Sequence, residues 1–176
     1  MKKLFVAFVV TAGWLLMFHS SLSAQNEKVA GKVFYTEIGG PGLIMSAHFD
    51  SRFKPYERLG FGYRLGIGFG IKNEWDEYMR VLKTFYSIPA GLNYVFGKPK
   101  SANTFEVGAG LTFLTRKVSL FYYDVEKPGH VIGFLTFMYR RMPVDGGFSF
   151  RVGLTPMIGT SGDLFPMGSV GFGYAF

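Results

Sequence analysis

Cysteine is absent from the chain, which excludes disulfide bonds, thiol chemistry and metal sites built from thiolates. The two histidines after residue 24, His48 and His130, have no cluster of aspartate and glutamate at metal-ligand spacing. The phosphate-binding patterns GxGxxG and GxxxxGKS/T do not occur either. No cofactor is therefore expected.

Runs of like charge are also missing. Lysine and arginine total 19, of which Lys2 and Lys3 precede residue 25, so 17 basic and 12 acidic residues are scattered along the rest of the chain. A protein that binds nucleic acid usually concentrates its basic residues on one face. A nucleic-acid partner is therefore not expected.

One long apolar run exists, at residues 4–18, after two lysines and before the small-residue segment HSSLSAQ. This order predicts a secretory signal peptide, 1–24, cleaved after Ala24, or after Ser23 because Leu22 fits poorly at the third position before the first cut. A membrane anchor is the alternative, but a helix needs ~20 apolar residues to span a bilayer. The remainder, 25–176, has the length of one domain.

Apolar residues make up 48% of the chain and aromatic residues 18%, yet no stretch after residue 24 could form a spanning helix. Such a chain must either bury its apolar residues in a core or expose them to lipid. A closed β-barrel can expose them to lipid because it leaves no unpaired sheet edge.

Large apolar residues alternate strictly with glycine or arginine through 59–71, LGFGYRLGIGFGI. A period of two predicts a strand with one apolar face. Similar or weaker patterns predict seven more strands, at 32–38, 43–50, 84–96, 104–115, 130–141, 148–159 and 168–176, with Pro89 and Pro156 marking bulges or breaks. The expected fold is all-β, an eight-stranded antiparallel up-and-down transmembrane β-barrel. Seven strands with an N-terminal extension is the alternative, disfavoured because an even number returns both termini to one side.

Strand counting assigns GGPG, 39–42, to the first turn and assigns 97–103 and 142–147 to short periplasmic turns. The longer segments 72–82 and 116–129 then lie outside, which is the usual asymmetry of outer-membrane barrels. Both segments carry aromatic residues. These predict either a contact with a protein partner or an interfacial aromatic girdle, and the girdle is favoured.

The face opposite the large apolar residues consists mostly of glycine, alanine, serine and threonine with isolated charges. A soluble barrel or sandwich would show this face to water and pack the apolar face inside. Eight strands leave an interior just wide enough to be filled by side chains, which suits small residues and a few paired charges. The sequence therefore favours a surface that faces outer-membrane lipids over a soluble β domain.

Three segments carry a resemblance to a known group: EIGGPGLIMSAHFDSRF (37–53), DGGFSFRVGLTP (145–156) and the terminal GFGYAF. With the signal peptide, they resemble a small porin-like outer-membrane β-barrel family of Gram-negative bacteria, largely of unassigned function. The resemblance implies that the outer-membrane assembly machinery reads the alternating residues of the last strand: Val170, Phe172, Tyr174 and Phe176. It implies no activity.

Ser46, His48 and Asp50 alternate on one face of a predicted strand, and their residue types suit a hydrolase. Neighbours at i and i+2 stand about 6–7 Å apart along a strand, however, which is too far for a relay of hydrogen bonds. The same face places them in the lumen, away from a lipid substrate. An interior polar cluster is the favoured interpretation.

Further charges fall on the interior faces, namely Arg64, Glu106, Arg151 and Arg140. Buried charges require partners, so these four with His48 and Asp50 are expected to form a structural charge network in the lumen. A charged constriction that selects ions is the other interpretation, but the predicted bore is too full for it.

These observations lead to a non-enzymatic outer-membrane barrel with an occluded polar lumen and a structural or interaction role. A narrow, porin-like channel is the first alternative. A lipid-modifying hydrolase that uses His48 is the second.

Overall fold

The computed structural model of the chain describes residues 29–76, 79–118, 129–160 and 162–176, without the side chains of 73–76 and 79–80. The predicted signal peptide, 1–24, lies outside the described residues. So do the tip of the predicted outer segment 72–82 and most of the segment 116–129.

Antiparallel β-strands dominate the described residues. In chain order they are β1 (Lys32–Gly39), β2 (Met45–Arg52), β3 (Gly60–Asp76), β4 (Met79–Gly97), β5 (Asn103–Val118), β6 (Gly129–Arg141), β7 (Gly147–Leu154), β8 (Met157–Ile158), β9 (Leu164–Phe165) and β10 (Gly168–Ala175). Seven consecutive strands, β1 to β7, pair in order, and β10 pairs with both β7 and β1. The predicted closed barrel of eight strands is confirmed.

The eight paired strands form a closed ring. The short strands β8 and β9 pair with each other as a hairpin that is not part of this ring. Residues 155 and 156 separate β8 from β7, and β8 also pairs with β6. Pro156 lies in this break. A proline has no backbone N–H and cannot donate a hydrogen bond to the neighbouring strand, so the pairing stops here. The predicted strand 148–159 is therefore two strands with a bend between them.

The two faces of the barrel wall follow the alternation in the sequence. On β3 the side chains of Phe61, Leu65 and Ile67 point outward and are 66%, 53% and 69% exposed, whereas Arg64 between them is 3% exposed. The large apolar residues thus cover the exterior, and the charged and small residues line the interior.

The alternation in 43–50 that puts Ser46, His48 and Asp50 inside also predicts Ile44 inside and Leu43 outside, and that prediction was wrong. Leu43 instead packs against the interior, and Ile44 is 43% exposed. The reason is the positive φ of 79° at Leu43, which rotates the chain by one face just before the strand begins.

The GGPG turn folds into the barrel end instead of projecting from it. Its residues form a short 3-10 helix, Gly40–Gly42, and all three are buried. Thr112 donates a hydrogen bond of 2.8 Å to the carbonyl of Pro41, and Ser87 donates one of 3.0 Å to the carbonyl of Gly42. The turn therefore caps the lumen at the end opposite the chain termini.

Apolar residues fill the lumen beneath this cap. The cluster contains Phe85, Leu114, Ile132, Phe134 and Met157, each at most 6% exposed. The interior is therefore not polar throughout, because the part of the lumen next to the GGPG turn is filled by apolar side chains.

The predicted outer loop 72–82 is largely a ladder, because β3 and β4 stay paired from Ile71↔Thr84 to Asp76↔Met79. β2 pairs with β3 only as far as Phe69, and β5 pairs with β4 only as far as Ser87. The two strands therefore continue as a two-stranded ribbon, residues 71–84, beyond their pairing with β2 and β5, and Lys72 of this ribbon donates a hydrogen bond of 3.1 Å to the carbonyl of Lys117.

Gly66 lies where the barrel wall packs closely against a side chain of the lumen, that of His48. A Cβ at this position would lie 2.8 Å from both the His48 Cε1 and the Ala47 carbonyl oxygen, inside normal contact distance. We expect Gly66→Ala to lower the free energy of unfolding by about 1–3 kcal/mol through overpacking. Urea unfolding of the refolded barrel measures this.

Gly133→Ala is the matched control, because its nearest neighbour would be the Ile158 Cβ at 3.4 Å. It should be close to neutral. If the two variants lose the same stability, packing against His48 is not the cause.

Candidate functional site in the barrel interior

Glu106 lies at the centre of the lumen and binds three arginines. Its Oε2 accepts a hydrogen bond of 2.6 Å from Arg140, and its Oε1 accepts one of 3.0 Å from Arg151 and another from Arg64. All four side chains are buried. Since β3, β5, β6 and β7 each supply one of these residues, the cluster ties four strands together.

Asp50 is a second acidic centre nearby. It accepts hydrogen bonds from Arg52 and from the side-chain amide of Asn93, and Arg140 lies 3.4 Å from its Oδ1. The Arg64 Nε is 4.0 Å from its Oδ2. Arg140 therefore bridges the two carboxylates, and Asp50 and Glu106 belong to one network.

His48 lies in a third part of this network. Its ring stacks on Tyr35 with centroids 4.9 Å apart. Its Nε2 lies 2.8 Å from the Ser46 hydroxyl and 3.3 Å from Glu37 Oε2. Glu37 also lies 3.5 Å from Arg151, which joins this part to the rest.

This geometry bears on the hydrolase hypothesis. The spacing argument against a hydrogen bond between i and i+2 neighbours was wrong for Ser46 and His48, because their side chains lean together until Oγ and Nε2 are 2.8 Å apart. The relay is nevertheless not formed, since Ser46 and Glu37 approach the same ring nitrogen and a Ser–His–acid relay uses both. Asp50 has arginines and Asn93 as its partners among the described residues. His48 itself is fully buried, so its Nε2 is closed to a substrate in this structure.

The structure thus brings together the six residues predicted for the lumen network: Arg64, Glu106, Arg151, Arg140, His48 and Asp50. It adds Glu37, Arg52, Tyr35 and Asn93, which the sequence analysis did not single out. Glu37 shares the inward face of β1 with Tyr35, so the alternation in 32–38 contained the signal for it. Arg52 was missed because the strand continues two residues beyond the predicted end at Asp50.

Arg58 closes the barrel at the end where the chain termini lie. Its guanidinium donates hydrogen bonds to the carbonyls of Met142 at 2.5 Å and Pro99 at 3.1 Å, and also to that of Ser101. Burial lowers the pKa of the Arg58 guanidinium, and the positive charge of Arg140 lowers it further. One side chain thereby fastens the segment 53–59 across both turns at this end.

We expect Arg58→Ala to lower the free energy of unfolding by about 1.5–3 kcal/mol, because it leaves the buried carbonyl of Met142 and the part-buried carbonyls of Pro99 and Ser101 without a charged donor. Urea unfolding measures the loss. Lys54→Ala in the same segment is the control. Its ion pair with Glu57 is exposed, and such pairs contribute about 0–1 kcal/mol. Equal effects of the two variants would rule out a fastening role for Arg58.

Aromatic rings form a belt around the outside of the barrel near this same end. Successive contacts with centroids 4.8–6.3 Å apart join Phe61, Tyr94, Phe96, Phe105, Tyr139 and Phe150. These rings come from five neighbouring strands, β3 to β7. The belt therefore lies at the opposite end from the outer segments in which the sequence analysis placed a girdle.

The residues predicted as an assembly signal lie on the outer face of the closing strand. Val170, Phe172 and Tyr174 of β10 and Phe176 just after it are 37%, 48%, 60% and 56% exposed. Their rings and methyl groups continue the apolar exterior up to the rim.

Comparison with protein-family models, curated proteins and solved structures found no match for this chain.

Proposed function

We propose that this chain is an integral outer-membrane β-barrel protein with an occluded lumen, and that its role is structural or interactive and non-enzymatic. The observation that carries the proposal is the inverted distribution of side chains. Large apolar residues cover the exterior, while arginine, glutamate and aspartate fill the centre.

The exterior is unusual for a water-soluble domain. Soluble monomers rarely expose contiguous apolar patches larger than a few hundred Å². Here all eight strands of the ring carry exposed large apolar residues, and examples from three different strands are Leu92, Leu111 and Leu154. Lipid is the solvent that such a surface suits.

The height of the apolar band agrees with a membrane. On β4 the outward face carries Tyr86, Ile88, Leu92, Tyr94 and Phe96. The ten steps from Tyr86 to Phe96, at ~3.3 Å each and tilted by about 40°, cover about 25 Å along the barrel axis. Outer-membrane barrels have an apolar band of ~25 Å bordered by aromatic girdles, and the aromatic belt described above lies at one border.

The interior supports a role other than transport or catalysis. The charge network occupies its centre, the apolar cluster fills the part beneath the inward-folded turn, and Arg58 fastens the other end. Side chains at three levels of the lumen thus support the proposal that no wide water path crosses the described part of the barrel.

The ribbon at residues 71–84 supports an interaction role. Its Leu82 and Val81 are exposed, and apolar side chains exposed beyond the ring suit contact with a partner. We propose outer-membrane lipids, the assembly machinery that reads Val170 to Phe176, and a protein bound through 72–82 or 116–129 as partners.

The test is to express the full chain in a Gram-negative host and to examine the outer-membrane fraction on a gel, boiled and unboiled. A barrel in the outer membrane should appear in that fraction and migrate faster before boiling than after it. A soluble periplasmic protein with no change in mobility would refute the proposal. A stable conductance in planar bilayers would refute the occluded lumen while leaving the membrane location intact.

A further inference from the structure

The arginines of the lumen outnumber the acids. In the ion-paired network, Arg52, Arg64, Arg140 and Arg151 stand against three carboxylates, those of Glu37, Asp50 and Glu106, and all seven side chains are buried. Arg58 is buried too, but it donates to backbone carbonyls at the barrel end and forms no ion pair with this network among the described residues. With His48 neutral, the central network carries one uncompensated positive charge. An unpaired charge that is removed from water costs several kcal/mol, so the excess calls for a counter-charge.

The excess is localised by the hydrogen bonds. Arg52 donates to Gly60, Asp50 and Asn93, and Arg140 donates to Glu106 and Asp50. By contrast, Nη1 and Nε of both Arg64 and Arg151 have no hydrogen-bond partner among the described residues. Each Nε faces a carboxylate, Asp50 at 4.0 Å and Glu37 at 3.5 Å, so the two Nη1 atoms are the donors without a nearby acid. The unpaired donors thus belong to the two arginines that share a single oxygen, Glu106 Oε1.

Tyr35 lies close to both guanidinium groups and also has an unpaired donor. The Cζ atoms of Arg151 and Arg64 are 4.7 and 5.8 Å from its ring centroid, and its hydroxyl has no hydrogen-bond partner among the described residues. The ring face attracts a guanidinium, but it does not satisfy the N–H groups in the guanidinium plane. A water molecule would satisfy those donors without compensating the charge.

We propose that the lumen holds one small monovalent anion of the halide class, bound by the free Nη1 groups of Arg64 and Arg151 and by the Tyr35 hydroxyl. One excess charge calls for one negative charge, and a fully buried site between side chains favours a compact ion. The anion serves as a fourth acid that completes the network. The site does not depend on where in the cell the barrel resides.

The experiment compares barrels refolded separately in chloride and in gluconate at equal ionic strength, because gluconate is too large to replace a buried halide. In urea, the ratio of folded to unfolded wild-type barrel should rise with chloride, by up to about tenfold per tenfold chloride. Arg64→Met balances three arginines against three carboxylates, and its midpoint should not respond to chloride. Arg141→Met on the exposed rim is the matched control and should keep the response.

Diffraction from wild-type crystals grown in bromide gives an answer even if Arg64→Met does not fold. An anomalous peak between Arg64 and Arg151 supports the site. Identical midpoints in chloride and gluconate, a chloride response that survives Arg64→Met, or bromide crystals with no anomalous peak at this position would each overturn it.

Discussion

Glu106→Gln is expected to lower the free energy of unfolding by about 3–5 kcal/mol, the range for removing one partner of a buried ion pair. The substitution keeps the size of the side chain and removes only its charge. Three guanidinium groups, from Arg64, Arg140 and Arg151, then share Asp50 and Glu37 as their remaining acids. The loss is measured by urea unfolding of the refolded barrel, with the heat-dependent gel mobility as the signal for the folded fraction.

Asp145→Asn is the control for the change of charge alone, because Asp145 lies exposed in the turn between β6 and β7. It should change stability by less than about 0.5 kcal/mol. If Glu106→Gln were equally mild, the charge network would not hold the strands together, and the interior would tolerate unpaired arginines.

Leu65→Arg is expected to destabilise the barrel by about 2–4 kcal/mol in lipid vesicles, because Leu65 lies on the exterior near the middle of the apolar band. On a soluble protein an exposed leucine could become arginine with an effect of about 0.5 kcal/mol or less. The substitution therefore separates the two surroundings by its magnitude. Equilibrium folding into vesicles of defined lipid measures it.

Leu82→Arg makes the same chemical change at a site that is 68% exposed on the ribbon beyond the ring. Near the membrane interface the expected loss is about 0–1 kcal/mol. Equal and small losses at both leucines would contradict a lipid-facing exterior.

The architecture could be predicted from the sequence because alternation determines which face each residue occupies. In 59–71 every second residue is large and apolar, and the structure places those residues outside and Arg64 inside. The positions of the lumen charges follow from the same rule, since Glu106 and Arg151 each lie between outward apolar neighbours.

Other features could not be predicted, because they depend on contacts between distant segments. Arg58 occurs in a segment without periodicity, and its role follows from carbonyls 40 or more residues away. The inward fold of the GGPG turn depends on hydroxyl groups of Ser87 and Thr112, on β4 and β5. The ribbon could not be predicted for a different reason. Outside the ring neither of its faces has to be uniformly apolar, so its sequence lacks the alternation that indicates a strand.

The proposed lipid-facing exterior is tested most directly with a spin label on a single cysteine, since the chain has none of its own. Leu65→Cys carries the label on the barrel wall, and Lys100→Cys carries it on an exposed turn. In lipid vesicles, the label at position 65 should collide frequently with oxygen and rarely with a water-soluble nickel chelate, and the label at position 100 should show the reverse. A label at position 65 that collides freely with the nickel chelate would show that the apolar wall faces water, in contradiction to the proposed membrane barrel.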